Sequence, residues 1–226
     1  MVVAKKAAVE GEPEFLFDIE QGSAEWFEVR RGLPTASEFA TIMADPAKAI
    51  KQGKVPGRTR YLYQLAGELL QGEVNESYTN FAMQRGKEME AEAIDYYART
   101  RLVDLERVGF VRRPLPSGYY VGCSPDRLVQ PGMRRILQVK TMRPDLMIER
   151  RETKTEASLI ETHKAQVQGE LWVTGWDRTD LLIYYRNMPF SFCFTVERDE
   201  AYIANLSAEV MRFDAELHAM VERNRR

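Results

Sequence analysis

The sequence predicts a single domain of the α/β or α+β class, with strands and helices packed around one core. Helical patterns fill the first hundred residues, short strands bounded by turns follow, and helices and strands then alternate. A chain of 226 residues with 44% hydrophobic residues can bury one sizeable core. We therefore expect a flexible N-terminal arm over residues 1–13 and one domain over residues 14–226.

The N-terminal half is predicted to be helical. A short helix ends at Gly32, and the spacing of Thr35 and Glu38 is typical of a capping box that begins a second helix. Residues 45–57 combine prolines, glycines and three lysines, which predicts a flexible basic loop. The predicted helices cover residues 23–31, 36–44, 59–71 and 79–99.

The remainder of the chain alternates between strand and helix patterns. The predicted strands cover residues 102–111, 119–122, 126–129, 134–140, 180–186 and 190–198. The predicted helices cover residues 146–151, 158–174 and 199–223, and Gly175 ends the second of them.

Charge and composition exclude several classes of protein. The formal net charge of −2 excludes a basic coat over the whole surface but leaves room for a local basic patch. No apolar run reaches the roughly 20 residues that cross a bilayer, and no apolar segment follows the N-terminal lysines as in a secretory signal. Cys123 and Cys193 are therefore expected to be reduced thiols in the cytoplasm. The cysteines and histidines match no zinc spacing, so we expect any metal to be a hard cation bound by carboxylates.

Asp126, Gln138 and Lys140 form the first candidate site. Alternation along a strand places positions 138 and 140 on the same face, and a hairpin brings Asp126 close to them. Two carboxylates and a lysine in this arrangement can hold Mg²⁺ and cleave a phosphodiester, but position 138 is Gln. The alternative is that Asp126 begins a turn and Lys140 is a solvated strand end.

Two further segments carry polar side chains suited to an anion. Arg30 is followed closely by Ser37, which is predicted in the first turn of a helix, where free N–H groups favour anions. Gln166 lies in a predicted amphipathic helix. The alternatives are that Arg30 closes the preceding helix, Ser37 faces solvent and Gln166 is an exposed residue of a core helix.

Taken together, these segments resemble the YqaJ-type viral recombinase family of alkaline exonucleases, which includes the phage lambda exonuclease. The resemblance covers most of the chain, and its blocks occur in the family's order. The matching blocks are WFEVRRGLPTASE (26–38), GKEME (86–90), CSPDRL (123–128), QVK (138–140), AQVQGELW (165–172) and VERDEAY (196–202).

The resemblance implies a role for each matching position. Asp126, Gln138 and the Val139 carbonyl correspond to ligands of Mg²⁺, with two ions expected and Mn²⁺ as a substitute. Lys140 corresponds to the catalytic lysine, and Glu90 to an acidic residue near the metals. The positions that correspond to the pocket for a 5′-phosphate are Arg30, Ser37, Ser124 and Gln166, and Met83 corresponds to an apolar wedge that separates the terminal base pair.

Gln138 departs from the family pattern, which has Glu at this position. Either Gln138 is a substitution that inactivates the protein, or the lineage has diverged. In both cases we expect weaker Mg²⁺ binding and impaired cleavage with DNA binding retained. Lys48, Lys51 and Lys54 are predicted either to follow the DNA backbone or to form a solvated loop.

The resemblance further implies a restriction-endonuclease-like core and a Mg²⁺-dependent 5′-to-3′ exonuclease that digests linear double-stranded DNA to mononucleotides. The family works in phage or prophage recombination as a ring-shaped homotrimer, with a single-strand annealing protein as partner. Two alternatives are a related endonuclease on the same core and a non-catalytic DNA-end-binding module with a native Gln138.

Overall fold

The computed structural model describes residues 11–73, 81–129 and 132–225, except for the side chains of residues 48 and 81–88. Its helices are α1 (Ala24–Arg30), α2 (Phe39–Met43), α3 (Ala47–Lys51), α4 (Gly57–Gln71), α5 (Phe81–Arg101), α6 (Pro144–Thr153), α7 (Glu156–Thr174) and α8 (Glu200–Asn224). Its strands are β1 (Glu14–Leu16), β2 (Leu105–Glu106), β3 (Phe110–Pro114), β4 (Tyr120–Cys123), β5 (Arg127–Val129), β6 (Arg135–Thr141), β7 (Arg178–Tyr184) and β8 (Phe192–Glu197). A 3₁₀ turn, Ala36–Glu38, precedes α2.

The strands form two sheets. Strands β1, β3 and β4 make a three-stranded antiparallel sheet, and the larger sheet has the order β2-β5-β6-β7-β8. Strand β6 pairs antiparallel with β5 and parallel with β7. Helices α6 and α7 provide the long connection that two parallel neighbours require. The larger sheet is therefore mixed, and the α/β class predicted from the sequence is confirmed.

The two faces of β6 pack against different helices. Leu137 and Val139 belong to an apolar cluster with Tyr97 of α5, whereas Ile136 belongs to the main core with Trp172 of α7. Because side chains alternate along a strand, positions 138 and 140 share the face of Ile136 and point towards α7. The expectation that they lie on one face is confirmed.

Capping residues define both ends of helix α7. The Thr155 side chain accepts a hydrogen bond from the Ser158 N–H, and Gly175 adopts a left-handed φ of 69° at the C-cap. The final turns of α7 are buried against the sheet and α8. The helix is therefore held firmly at the level of the candidate site.

Four local predictions are wrong. Thr35 makes no side-chain cap, because its hydroxyl contacts that of Ser37, and a 3₁₀ turn with α2 replaces the predicted continuous helix. The predicted loop over residues 45–57 contains α3. The predicted strand over residues 102–111 is split into β2 and β3, since β2 pairs with β5 in the larger sheet whereas β3 pairs with β1 and β4 in the smaller one. Strand β1, paired with β3, was not predicted.

Other expectations have mixed outcomes. Cys123 and Cys193 are free thiols, as expected. Within the ranges that the structure describes, no helix is long and apolar enough to span a membrane. Most of the predicted N-terminal arm, residues 1–10, lies outside the described residues.

Candidate active site

Asp126 lies between β4 and β5 and is almost entirely buried. Its Oδ2 accepts a hydrogen bond of 2.6 Å from the Val139 N–H, which fixes the carboxylate against the middle of β6. Burial, reinforced by the negative charge of Glu90, raises the pKa of Asp126 to about 7. The Val139 N–H and the positive charges of Lys140 and Arg127 act in the opposite direction.

Gln138 is also buried, and its Oε1 has no hydrogen-bond partner in the described part of the chain. An unpaired buried acceptor is costly and commonly marks the position of a water or an ion. The Asp126 carboxylate and the Gln138 amide oxygen are hard oxygen donors, as is the predicted third ligand, the Val139 carbonyl. Such a set fits a divalent cation of the Mg²⁺ type.

The set is nevertheless poor in charge. Among the described residues, no three Asp, Glu, His or Cys side chains gather in a way that could hold a metal ion. Asp126 is the one carboxylate among the three predicted ligands, and Glu90 acts on it through its charge. A metal at this site would therefore depend on one charged ligand where a Glu at position 138 would supply a second.

Lys140 is the first member of a chain of hydrogen bonds that includes two side chains of α7. Its Nζ donates to Gln166 Oε1 at 2.9 Å, and Gln166 Nε2 donates to Glu170 Oε1 at 2.9 Å. Burial raises the pKa of Glu170 to about 8, against the lowering effect of the Lys140 charge. Sequence reasoning missed Glu170, although a carboxylate four residues after Gln166 and next to Leu171 was a usable signal.

Arg30 and Ser124 are in contact, as the sequence resemblance implies. Arg30 Nη1 donates to Ser124 Oγ at 3.2 Å, and the guanidinium lies 4.1 Å from the Trp26 ring centre and 5.7 Å from that of Phe110. The Trp26 Nε1 also donates to Ser124 Oγ, at 3.0 Å, and to the Gly109 carbonyl. Ser124 thus accepts two hydrogen bonds, and among the described residues its own proton has no acceptor.

Ser37 is exposed in the 3₁₀ turn, and its hydroxyl lies 3.2 Å from that of Thr35. The turn packs against α7 and β4. Gly169 of α7 lies so close to the Phe39 ring that a Cβ added to this glycine would be 2.4 Å from a ring carbon. Within the described residues, no hydrogen bond joins Ser37 to Arg30, Ser124 or Gln166. Of the four positions predicted for the phosphate pocket, Arg30 and Ser124 contact each other, Gln166 contacts Lys140, and Ser37 lies on the 3₁₀ turn.

Glu90 lies on α5 and lines a cavity of about 430 Å³ together with Phe17, Arg107 and Arg127. Met83 belongs to the same helix, but its side chain lies outside the described residues. Lys51, the last residue of α3, and Lys54, three residues later, are exposed. The side chain of Lys48 lies outside the described residues.

Comparison with known proteins places this site in a family. Residues 25–177, more than half of the chain, match the model of the YqaJ-like viral recombinase domain. The chain belongs to this family. The matched range contains Arg30, Asp126, Lys140 and Gln166. The resemblance identified from the sequence blocks is therefore confirmed.

Solved structures agree with this assignment. The chain is 32% identical to an alkaline exonuclease (LHK-Exo) from Laribacter hongkongensis, covering 89% of this chain and 95% of that chain with a TM-score of 0.73. A structure of LHK-Exo in complex with dAMP matches with the same values. A phage-related exonuclease from Haemophilus somnus 129PT, 16% identical over 84% of this chain and 96% of that chain with a TM-score of 0.59, shares the fold. None of the curated proteins compared with the chain matches it.

The fold is thus the restriction-endonuclease-like α/β fold of the alkaline exonucleases, as the sequence resemblance implied. Membership of the family, together with the similarity to LHK-Exo, supports a nuclease function for the chain.

Proposed function

We infer that the chain is a metal-dependent 5′-to-3′ exonuclease, with a single nuclease domain over residues 14–226. It would digest the 5′-phosphorylated strand of linear double-stranded DNA to mononucleotides in the cytoplasm and leave a 3′ single strand for recombination. The observation that carries this proposal is the grouping of Asp126, Gln138 and Lys140 at β5 and β6, with the Gln138 oxygen buried and unpaired within the described structure.

Asp126, Gln138 and the Val139 carbonyl would hold the metal, two Mg²⁺ ions in the family pattern or Mn²⁺ in their place. The bound cation supplies a Lewis acid that polarises the scissile phosphate and lowers the pKa of the attacking water. The ammonium of Lys140, directed by Gln166, would stabilise the negative charge that develops on the phosphate. Glu90 adds a negative potential that favours cations near Asp126.

The pocket for the terminal 5′-phosphate would be formed by Arg30, Ser37, Ser124 and Gln166. Arg30 offers a guanidinium already oriented by the Trp26 ring, and the proton of the Ser124 hydroxyl has no acceptor among the described residues. The amide of Gln166 has two N–H groups, of which Glu170 uses one. A pocket that recognises a terminal phosphate favours an exonuclease over an endonuclease on the same fold.

Gln138 makes this chain an impaired enzyme under the proposal. Replacing Glu by Gln keeps the shape of the side chain but removes one of the charges that bind the cation. We expect weak metal binding, severely reduced cleavage and nearly unchanged binding of DNA ends. Digestion by the present chain at a rate equal to that of its Gln138→Glu variant would contradict this expectation.

The test is digestion of DNA by the Gln138→Glu variant in Mg²⁺. We expect it to degrade linear 5′-phosphorylated duplex and to leave a covalently closed circle intact, whereas the same variant carrying Lys140→Met degrades neither. Cleavage of the circle would favour an endonuclease. A Gln138→Glu variant that digests neither DNA would overturn the enzymatic proposal and favour a non-catalytic module that binds DNA ends.

The family pattern also suggests a ring-shaped homotrimer and a single-strand annealing protein as partner. Light scattering of the purified chain tests the first suggestion, since a trimer has three times the mass of one chain. Co-purification with a single-strand annealing protein tests the second.

A further inference from the structure

Glu170 is a carboxyl group that the proposed mechanism does not by itself require. It lies in the buried final turns of α7 and is 1% exposed. Burying a carboxyl is expensive unless donors surround it, so a carboxyl kept at such a position needs an explanation. Its Oε1 accepts from Gln166 Nε2, one helical turn earlier, while its Oε2 has no partner among the described residues.

A second buried carboxylate shows what a purely structural role looks like in this chain. Asp180, also 1% exposed, accepts hydrogen bonds from Arg135, Thr195 and the hydroxyl of Tyr97, and it thereby joins α5 to the larger sheet. Glu170, in contrast, uses one oxygen on one neighbour in its own helix. Its contact therefore adds little to the packing between elements and acts mainly on the side chain of Gln166.

The contact determines which way the Gln166 amide faces. An amide has a donor end and an acceptor end of nearly equal size, and its partners decide its orientation. Glu170 can accept, and it holds the NH₂ end, so the oxygen is presented to the Lys140 ammonium. An ionised Glu170, which prevails above its pKa of about 8, can only accept. Without such an acceptor, the amide can turn and present its NH₂ group to Lys140, where two donors would face each other.

We propose that Glu170 is a positioning residue that fixes the orientation of the Gln166 amide and, through it, the position of the Lys140 ammonium beside Asp126. This role rests on the proposed nuclease function, because it matters for the reaction only if Lys140 stabilises charge on a phosphate. The contact between Glu170 and Gln166 can be measured independently of the reaction.

The kinetic test uses Glu170→Gln in the Gln138→Glu chain, assayed above pH 8, where Glu170 is ionised. Gln at position 170 keeps the volume but can either donate or accept, so it no longer dictates the orientation of Gln166. We expect kcat to fall by about tenfold, which corresponds to about 1.4 kcal/mol, with KM changed less than about twofold. In a Gln166→Met background, Glu170→Gln should change kcat less than about twofold, since the residue then has nothing to orient.

A matched control removes another buried carboxylate. Asp214→Asn lies on α8, where Asp214 is 1% exposed and contacts Ser117 and His218. It is expected to change thermal stability but not kcat. Equal losses of kcat from Glu170→Gln with and without Gln166 would overturn the positioning role, as would an unchanged kcat in the single variant.

The second readout is hydrogen exchange of the Gln166 side-chain amide in metal-free protein, measured by NMR and assigned with Gln166→Met. We expect one of its protons to exchange at least about tenfold more slowly than those of an exposed glutamine, and Glu170→Gln to remove this protection. If the Gln138→Glu chain cuts no DNA although exchange behaves as expected, the nuclease proposal fails and the contact stands. If the chain cuts DNA but Glu170→Gln changes neither readout, the positioning role fails and the nuclease proposal stands.

Discussion

Restoring a carboxylate at position 138 should change thermal stability in opposite directions with and without metal. Gln138 is 4% exposed and sits near Asp126, whose raised pKa already reflects burial and the charge of Glu90. In EDTA, Gln138→Glu therefore adds a second buried acidic group beside Asp126. In Mg²⁺, the same group becomes a second charged ligand.

The size of both effects can be worked out. An unsatisfied buried polar group costs about 1–3 kcal/mol, and for a chain of this length each kcal/mol shifts Tm by about 2–4 °C. The variant should therefore melt about 2–12 °C below the present chain in EDTA. At a free Mg²⁺ concentration of about 100 Kd, binding adds about 2.7 kcal/mol, which raises its Tm by about 5–11 °C.

The assay is a melting curve at matched ionic strength with EDTA, Mg²⁺ or Ca²⁺. Gln168→Glu is the matched control, since Gln168 is 1% exposed on α7 and its amide bonds the Glu197 carbonyl and the Asp199 N–H. The control should lose stability in every condition and gain nothing from Mg²⁺. A Gln138→Glu variant whose Tm does not respond to any divalent cation would refute the assignment of position 138 as a ligand.

Three further predictions concern other parts of the chain. Arg30→Lys should lower the preference of metal-free binding for 5′-phosphorylated over 5′-hydroxyl duplex ends by about tenfold, since Lys loses the fork and the ring contacts. The same loss from Arg58→Lys, at a half-buried arginine of α4 that pairs with Glu216, would place the effect elsewhere. Tyr97→Phe removes a donor to buried Asp180 and should cost about 1–3 kcal/mol in urea unfolding, and an unchanged midpoint would contradict this. Burial lowers the pKa of His163 to about 4, below the value of about 6.5 in the unfolded chain. Between these pH values the unfolded state binds more protons than the folded state. The stability that is present above pH 6.5 is therefore lost as pH falls towards 4. Because this side chain is partly exposed, we expect about 1 kcal/mol, and unfolding of His163→Gln at pH 7 and pH 5 should show a smaller loss; an equal loss would count against the histidine.

The parts of the fold that could be predicted from the sequence are those specified by local chemistry. Helix α7 was predicted at residues 158–174 and ends at Gly175, because a left-handed glycine is a strong stop signal. Strand β1 could not be predicted, since three residues carry no usable period and their partners in β3 lie 94 to 98 positions away along the chain. The break between β2 and β3 reflects the pairing of the two strands in different sheets, which is likewise a tertiary effect.

Likewise, some residues of the candidate site could be predicted from local sequence patterns and others could not. Asp126, Gln138 and Lys140 could be predicted because strand alternation and one hairpin suffice to bring them together. Glu170 was missed although its spacing of four residues from Gln166 could be read from the sequence, since the link between this pair and Lys140 is a tertiary contact. The capping box predicted at Thr35 was wrong, because the Thr35 hydroxyl contacts the Ser37 hydroxyl and does not cap the turn.

The position of Arg30 between two aromatic rings also affects how the protein responds to ionic strength. A guanidinium stacked on Trp26 and close to Phe110 has already lost much of its water, and mobile ions reach it poorly. Lys51 and Lys54 are exposed, so their attraction to a DNA backbone weakens steeply as salt is added. Rising salt should therefore remove general affinity for duplex DNA sooner than it removes recognition of a phosphorylated terminus, which makes the protein more selective for ends in concentrated salt than in dilute buffer.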